Sequence, residues 1–182
     1  MARKPKKGES LADLYPNLIK EWHTSMNELS PYDFMSGSDT KVWWKCKKGS
    51  DHEWSALIKD RSKKGVGCPV CAGKKVVRSN CLATTHPELA KEWDFTKNED
   101  LNPNNVGSGS GKKVWWKCHK ADDHEWKAII DSRSRGSGCP MCSSGRMKIV
   151  VKSNCLATTH PEVVKQWHPT KNGNLTPFDI LS

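Results

Sequence analysis

KVWWKCKKGSDHEW occupies residues 41–54, and KVWWKCHKADDHEW occupies residues 113–126. Each stretch holds one cysteine and one histidine. Each is followed by a Cys-Pro-x-Cys pair, GCPVC at 67–71 and GCPMC at 138–142. KVWWKC reads as a strand. EWSALIKDR and EWKAIIDSR read as the returning strand of a hairpin, with Trp54, Ala56 and Ile58, and Trp126, Ala128 and Ile130, alternating along it. The turns KKGSD and HKADD join the strands, and the loops SKKGVG and SRGSG lead into the cysteine pair. Beyond each pair, KKVVRS at 74–79 and MKIVVKS at 147–153 read as short strands.

The first block offers Cys46, His52, Cys68 and Cys71, spaced C-x5-H-x15-C-x2-C. The second offers Cys118, His124, Cys139 and Cys142, spaced C-x5-H-x14-C-x2-C. Three sulfurs and one imidazole match a closed tetrahedral zinc site. Cys-x-x-Cys turns two sulfurs toward one ion, while Pro69 and Pro140 stiffen the turn. Four protein ligands leave no open position for a water, so both ions are expected to be structural and their binding energy to be folding energy.

The repetition extends outward from the cysteine blocks. CLATTHPELAKEW at 81–93 returns as CLATTHPEVVKQW at 155–167, and a weaker copy, SLADLYPNLIKEW, stands at 10–22. Leu89, Ala90 and Trp93 fall on one helical face. Pro87, Pro161 and Pro16 suit a first helical turn, where a missing N–H costs nothing, and Thr84 or Thr85 is a plausible N-cap. The order predicts a basic tail (1–9), two zinc modules (10–80 and 81–154) and a half module (155–182) that caps the second block or docks a neighbour. Cys81 and Cys155 align with Ser10 and read as small residues at a helix start. His86, His160, His23, His168 and His119 do not recur in every copy and are not assigned as ligands.

The composition narrows the class. Of 182 residues only 35% are hydrophobic, yet there are 9 Trp and 8 Cys. Every Trp has a counterpart in another copy. Trp43 and Trp44, like Trp115 and Trp116, must face opposite sides of a strand, so one of each pair fills the core while the other stacks on a base, covers a Lys stem or packs under a helix. Trp22, Trp93 and Trp167 end their helices and are expected in the core. No apolar run reaches the roughly 18–20 residues that span a bilayer. MARKPKKGES lacks the apolar stretch of a secretory signal, so a reducing, cytoplasmic setting is expected, and there paired cysteines are metal ligands more often than disulfides.

Charge is segregated. Residues 41–78 carry 11 basic and 3 acidic side chains, residues 112–152 carry 10 and 4, and residues 1–8 carry four basic and no acidic ones. The remaining segments are acidic or balanced, and the net charge is +10. Zinc thiolate sites would lower this to about +8. Positive charge on the metal blocks is the footprint expected for a polyanion. Lys45, Arg61, Lys63 and Lys64, with Lys117, Arg133 and Arg135, are the candidates for phosphate contact. Glu125 and Lys127 after Asp122 resemble a Glu-x-Lys nuclease element, but Ser55 stands where the first copy would need that lysine, so no catalytic residue is assigned.

LATTHPELAKEW, a Gly/Ser-rich turn, VWWKC, HEW and GCPVC together resemble a zinc-ribbon or treble-clef zinc-finger repeat family of unknown function, over nearly the whole chain apart from its first eight residues. The family is one of tandem repeats in bacterial, phage and large-virus proteins, sometimes joined to nuclease domains. The resemblance implies zinc at the eight ligands named above and suggests DNA binding. Cys81 and Cys155 depart from its pattern, as does the weak first helical segment, and no attached nuclease domain is read here. The fold expected is a small metal-bound α+β arrangement of tandem zinc-ribbon or treble-clef modules alternating with short helices. The function expected is non-enzymatic nucleic-acid binding, DNA before RNA, with two structural zinc ions. Phage origin is part of that expectation, with host cytoplasm as the location if viral. The alternative is an adaptor or inhibitor meeting an acidic surface on a host enzyme or polymerase.

Overall fold

The computed structural model describes residues 4–143 and 149–182. The chain divides between Asn80 and Cys81 into two compact units. Each contains a two-stranded antiparallel hairpin, β1 (Lys41–Lys45) with β2 (Glu53–Leu57) and β3 (Lys113–Lys117) with β4 (Glu125–Ile129). The registers correspond: Trp44 faces Trp54 and Lys45 faces Glu53, as Trp116 faces Trp126 and Lys117 faces Glu125. Alternation buries Val42 and Trp44 and turns Lys41, Trp43 and Lys45 outward. Trp44 and Trp116 are completely buried, so one member of each Trp pair fills the core.

The returning strand is shorter than its sequence suggests. It stops at Leu57 and Ile129, and a helical turn takes over, Ile58–Ser62 and Ile130–Ser134. The inward period changes from two to three at that point. Ile58 and Arg61, like Ile130 and Arg133, lie three apart on one helical face and are buried together. Asp60 and Asp131 fall in the first turn, where the helix dipole favours an acid.

The helical segments also differ from expectation. Instead of one helix, each forms two single turns: Leu11–Leu14 and Pro16–Ile19, Leu82–Thr85 and Pro87–Ala90, Leu156–Thr159 and Pro161–Val164. Proline supplies the break. It cannot donate back to the preceding turn, and it drives the residue before it out of helical geometry. Tyr15, His86 and His160 accordingly sit at φ −133, −139 and −136. Each proline starts the second turn, as expected. The N-cap positions belong to Cys81 for the first turn and His86 for the second, not to Thr84 or Thr85; the Thr85 hydroxyl donates to the Cys81 carbonyl at 2.9 Å. In the first copy Ser10 caps with its own side chain, in a reciprocal pair with Asp13.

Each helical segment closes on itself through a bridge, Ser10 with Met35, Cys81 with Gly107 and Cys155 with Leu181. Cys81 and Cys155 are buried at these closures, where a small side chain is required. Two cores result. One gathers Leu11, Trp22, Val42, Trp44, Trp54, Ile58 and Val70 around Cys46 and Cys68, and the other holds the corresponding residues of the second unit. Trp22 and Trp93 meet the hairpin edge-on, at 5.5 Å from Trp44 and 5.3 Å from Trp116. Trp167 is only half-buried, against the expectation that it would be core. After the first cysteine pair the chain makes turns and a short 3-10 helix, Arg78–Asn80, rather than a strand. The equivalent strand expected at 147–153 falls partly outside the described residues, and 149–153 are not a strand. No helix of the described residues is long and apolar enough to cross a membrane.

Candidate metal centres

Cys46 directly follows β1, His52 directly precedes β2, and the turn after the helix holds Cys68 and Cys71. The hairpin and the knuckle converge, and the four ligand atoms lie within 4.8 Å of one another. Cys118, His124, Cys139 and Cys142 do the same in the second unit. Cys46 Sγ lies 3.7 Å from Cys71 Sγ, and His52 Nδ1 lies 3.8 and 3.5 Å from Cys68 and Cys71. The second set measures 3.7, 3.7 and 3.3 Å. Zinc–sulfur bonds of about 2.3 Å and zinc–nitrogen bonds of about 2.0 Å give tetrahedral edges of roughly 3.5–3.8 Å. The spacing therefore fits one zinc ion per set, bound through Nδ1. Among the described residues no other Cys, His or acidic cluster has this geometry.

The donor chemistry suits a divalent cation. Burial, and then the neighbouring Cys46 and Cys68 sulfurs, push the Cys71 thiol up to about 11. The same causes push Cys142 up to about 12. Three sulfurs this close resist ionising together, and a divalent ion reverses that preference.

Behind each histidine stands a second layer that the sequence reading missed. His52 Nε2 lies 3.1 Å from Ser79 Oγ, which donates to Asp51 Oδ1 at 2.7 Å. The backbone N–H of Ser79 donates to Asp51 Oδ2 at 2.8 Å. With Ser79 donating to the carboxylate, its oxygen is left to accept the Nε2 proton of the histidine, which frees Nδ1 for the metal. His124, Ser153 and Asp123 form the same arrangement, with Nε2 to Oγ at 2.9 Å. The Ser79 hydroxyl and N–H hold the Asp51 carboxyl below the usual carboxylate range, and Ser153 does so for Asp123. Asn80 and Asn154 tie the same turn to the knuckle carbonyls of Val70 and Met141. The signal was present: Ser-Asn precedes Cys81 and Cys155 alike.

The structure corrects two of the expected phosphate contacts. Arg61 and Arg133 are buried. The Arg61 guanidinium pairs with Glu21, donates to the Val66 carbonyl, and lies 5.0 and 5.3 Å from the rings of Trp44 and Trp54. Arg133 holds Glu92, the Ser137 carbonyl, Trp116 and Trp126 in the same way. These arginines join helical segment, hairpin and loop, and cannot reach a phosphate without dismantling that core. Lys63 is exposed, its ammonium 5.9 Å from the Tyr15 ring. Lys45 pairs with Glu53 at 2.8 Å, Lys64 with Asp60 at 2.8 Å, and Arg135 with Asp131 at 2.8 Å, all at the surface. Lys117 lies 3.9 Å from Asp122. Lys47 and Lys48 on the first hairpin turn, Lys74 after the first knuckle, and Lys120 on the second hairpin turn are exposed with no carboxylate partner among the described residues. Trp115 carries the ammonium groups of Lys97 and Lys127 at 4.7 and 5.0 Å from its ring, so it covers lysines.

A family model described as a probable treble clef zinc finger domain matches residues 18–74 and again 89–145. The two matches each contain one complete ligand set. A search of the curated proteins found no match.

Proposed function

The chain belongs to the probable treble clef zinc finger family, with two domains in tandem, and from that premise we propose that it is a non-enzymatic nucleic-acid-binding protein, acting on DNA before RNA. One observation carries the reading: Lys47, Lys48, Lys74 and Lys120 stand exposed beside the metal sites without a carboxylate partner among the described residues. The zinc ions hold these turns rigid, so the cations are ordered before a polyanion arrives, which lowers the entropy cost of binding. The partly paired Lys45, Lys64, Lys117 and Arg135, and the exposed Lys63, add to the same field. The closed coordination sphere supports a structural rather than catalytic role for the metal. A cytoplasmic location, in a host cell if the protein is a phage product, belongs to this proposal.

Fluorescence anisotropy with labelled duplex DNA tests it. Affinity is expected to fall at least about tenfold between 50 and 200 mM salt. A flat salt response overturns the reading. The exposed rings of Tyr32 and Phe95, each 63% accessible, favour a second reading, a protein adaptor meeting an acidic surface. A partner that stays bound after nuclease treatment would select it.

A further inference from the structure

Trp43 and Trp115 hold the same place in the two units, but their surroundings differ. Each stands on the outward side of the first strand of its hairpin. Across the hairpin Trp115 faces Lys127, whose ammonium lies 5.0 Å from its ring, and Lys97 adds a second ammonium at 4.7 Å. In the first unit Trp43 faces Ser55, and Met26 stands in the place of Lys97. Neither side chain carries a charge, and among the described residues no cation lies over the Trp43 ring. Glu125, which holds Lys97, corresponds to Glu53, which holds Lys45 at 2.8 Å and lies 3.1 Å from His23 Nε2. The first unit thus keeps the carboxylate and omits both lysines that would cover the ring.

The bare ring lines a groove of about 280 Å3 together with Met26, Leu29 and Phe34. Met26 and Leu29 are exposed, so apolar groups open to solvent flank an uncovered aromatic face. Lys41 lines the same groove and has no carboxylate partner among the described residues. Glu28 is the one carboxylate on its wall. The Asn27 carboxamide clamps the backbone of Trp43, donating to its carbonyl at 2.8 Å and accepting its N–H at 2.9 Å, which fixes the strand that carries the ring. Two residues along, on the same side of that strand, Lys45 lines a second cleft of about 400 Å3 with Lys20 and Lys47. The second unit lacks this concentration of cations. Lys91, in the place of Lys20, pairs with Glu88 at 2.7 Å, and His119 replaces Lys47.

We propose that Trp43 is a stacking platform for an unpaired base, so that the first unit binds single-stranded nucleic acid in preference to duplex. The proposal rests on the nucleic-acid reading above and narrows it. Lys41, Trp43 and Lys45 place cation, ring and cation in turn along one side of the strand. A single strand offers phosphate, base and phosphate in the same alternation, and its bases have free faces to stack. In a duplex those faces are taken by neighbouring bases. The groove receives the base and the lysines receive the phosphates, because Glu28 repels a phosphate but can accept from a base N–H. Charge decides among the guests that stack on an indole. A cationic guest meets a block with 11 basic and 3 acidic side chains over residues 41–78 and is repelled. An apolar peptide side chain would use the ring and leave Lys41, Lys20 and Lys47 without an anion. A nucleotide uses the ring and the lysines together. Trp115 already carries two ammonium groups and is closed to a base.

The test uses fluorescence anisotropy with the full zinc-loaded chain and three labelled probes of equal length: an oligothymidylate, an abasic strand and a duplex. The parent chain is expected to bind the oligothymidylate most tightly. Trp43→Ala should weaken that binding at least about fivefold, Trp43→Phe should recover part of the loss, and Trp115→Ala should change it by less than about twofold. The abasic strand keeps the phosphates and lacks the bases, so Trp43→Ala should leave its affinity unchanged. The slope of log affinity against log salt should also stay the same, because the ring neutralises no phosphate. Zinc content and circular dichroism establish that the variants remain folded. Equal weakening toward the abasic strand and the oligothymidylate overturns the proposal, because the ring would then support the fold and not a base. A parent chain that prefers the duplex overturns it too. So does an oligothymidylate affinity that folded Trp43→Ala leaves unchanged, although salt-dependent duplex binding would then still sustain the nucleic-acid reading. Failure to bind any of the three probes removes both.

Discussion

The guanidinium of Arg61 lies 5.0 Å from the centre of the Trp44 ring while its other edge pairs with Glu21. Trp44 belongs to the hairpin and Glu21 to the preceding helical segment, so one cation joins the two elements. Removing it strands Glu21 beside an apolar ring and withdraws a cation from two indoles. Arg61→Ala should destabilise the first unit by about 2–4 kcal/mol. Arg61→Lys should recover only part of this, because an ammonium cannot donate to Glu21 and Val66 while lying flat on the ring. Urea unfolding of the zinc-loaded protein measures both. Equal stability of Arg61→Ala and the parent would refute the assignment.

Trp43 and Trp44 are neighbours in sequence and opposites in space. Trp44→Ala opens a cavity under Trp22 and Trp54 and should cost about 3–5 kcal/mol. Trp43, 36% accessible, should cost about 1 kcal/mol or less when truncated. Thermal unfolding of the two variants separates them, and similar melting temperatures would contradict the strand alternation.

The hairpins, the ligand sets and the strand alternation are legible because each depends on local spacing, and two copies in one chain test each spacing twice. What the residues alone do not reveal is what depends on a distant partner. Arg61 looks like a surface cation until Glu21 and two tryptophans surround it. Even so, the three copies hold a trace of the pairing. Glu21 and Glu92 precede a tryptophan in the two copies that meet an arginine, and Gln166 replaces them in the third. The broken helices are partly legible. Pro16, Pro87 and Pro161 suit a first turn, yet the same rings expel the residue before each from helical geometry and so split the segment. The change from strand to helix at Ile58 is hidden because Ile58 satisfies both periods.

Ser79 fixes the tautomer of His52 while its own hydroxyl proton is held by Asp51. Ser79→Ala should leave the fold intact but weaken zinc binding at the first site about 10–100-fold. Competition against a chromophoric chelator measures this, with the second site, still backed by Ser153, as an internal reference. Zinc leaving both sites together would argue against the relay.

Acid should empty the sites before it touches the supporting carboxylates. The metal-free thiols of Cys71 and Cys142 lie at about 11 and about 12, so they hold protons at neutral pH and zinc must displace them. Affinity therefore rises with pH and falls on acidification. Asp51 works with the opposite sign. Its folded pKa is below the ordinary value of 3.8, so its contribution is complete above that pH and disappears only as pH drops through the lower folded value. Zinc release followed during an acid titration should be finished while the pH is still above 3.8. Zinc retained below that point would mean that the thiolates are held by something other than the ion.

Lys47 and Lys48 project from the turn that follows Cys46, and Lys120 from the turn that follows Cys118. Reversing Lys47 and Lys48 to glutamate should not disturb the core, because neither side chain packs in it. It should weaken duplex DNA binding at every sequence alike. The slope of log affinity against log salt should shrink by about 1 for each phosphate that is no longer neutralised. The same reversal at Arg61 would unfold the first unit and give no information about DNA. A slope unchanged by Lys47→Glu and Lys48→Glu, with zinc content retained, would move the interface away from the hairpin turns and onto other lysines such as Lys74.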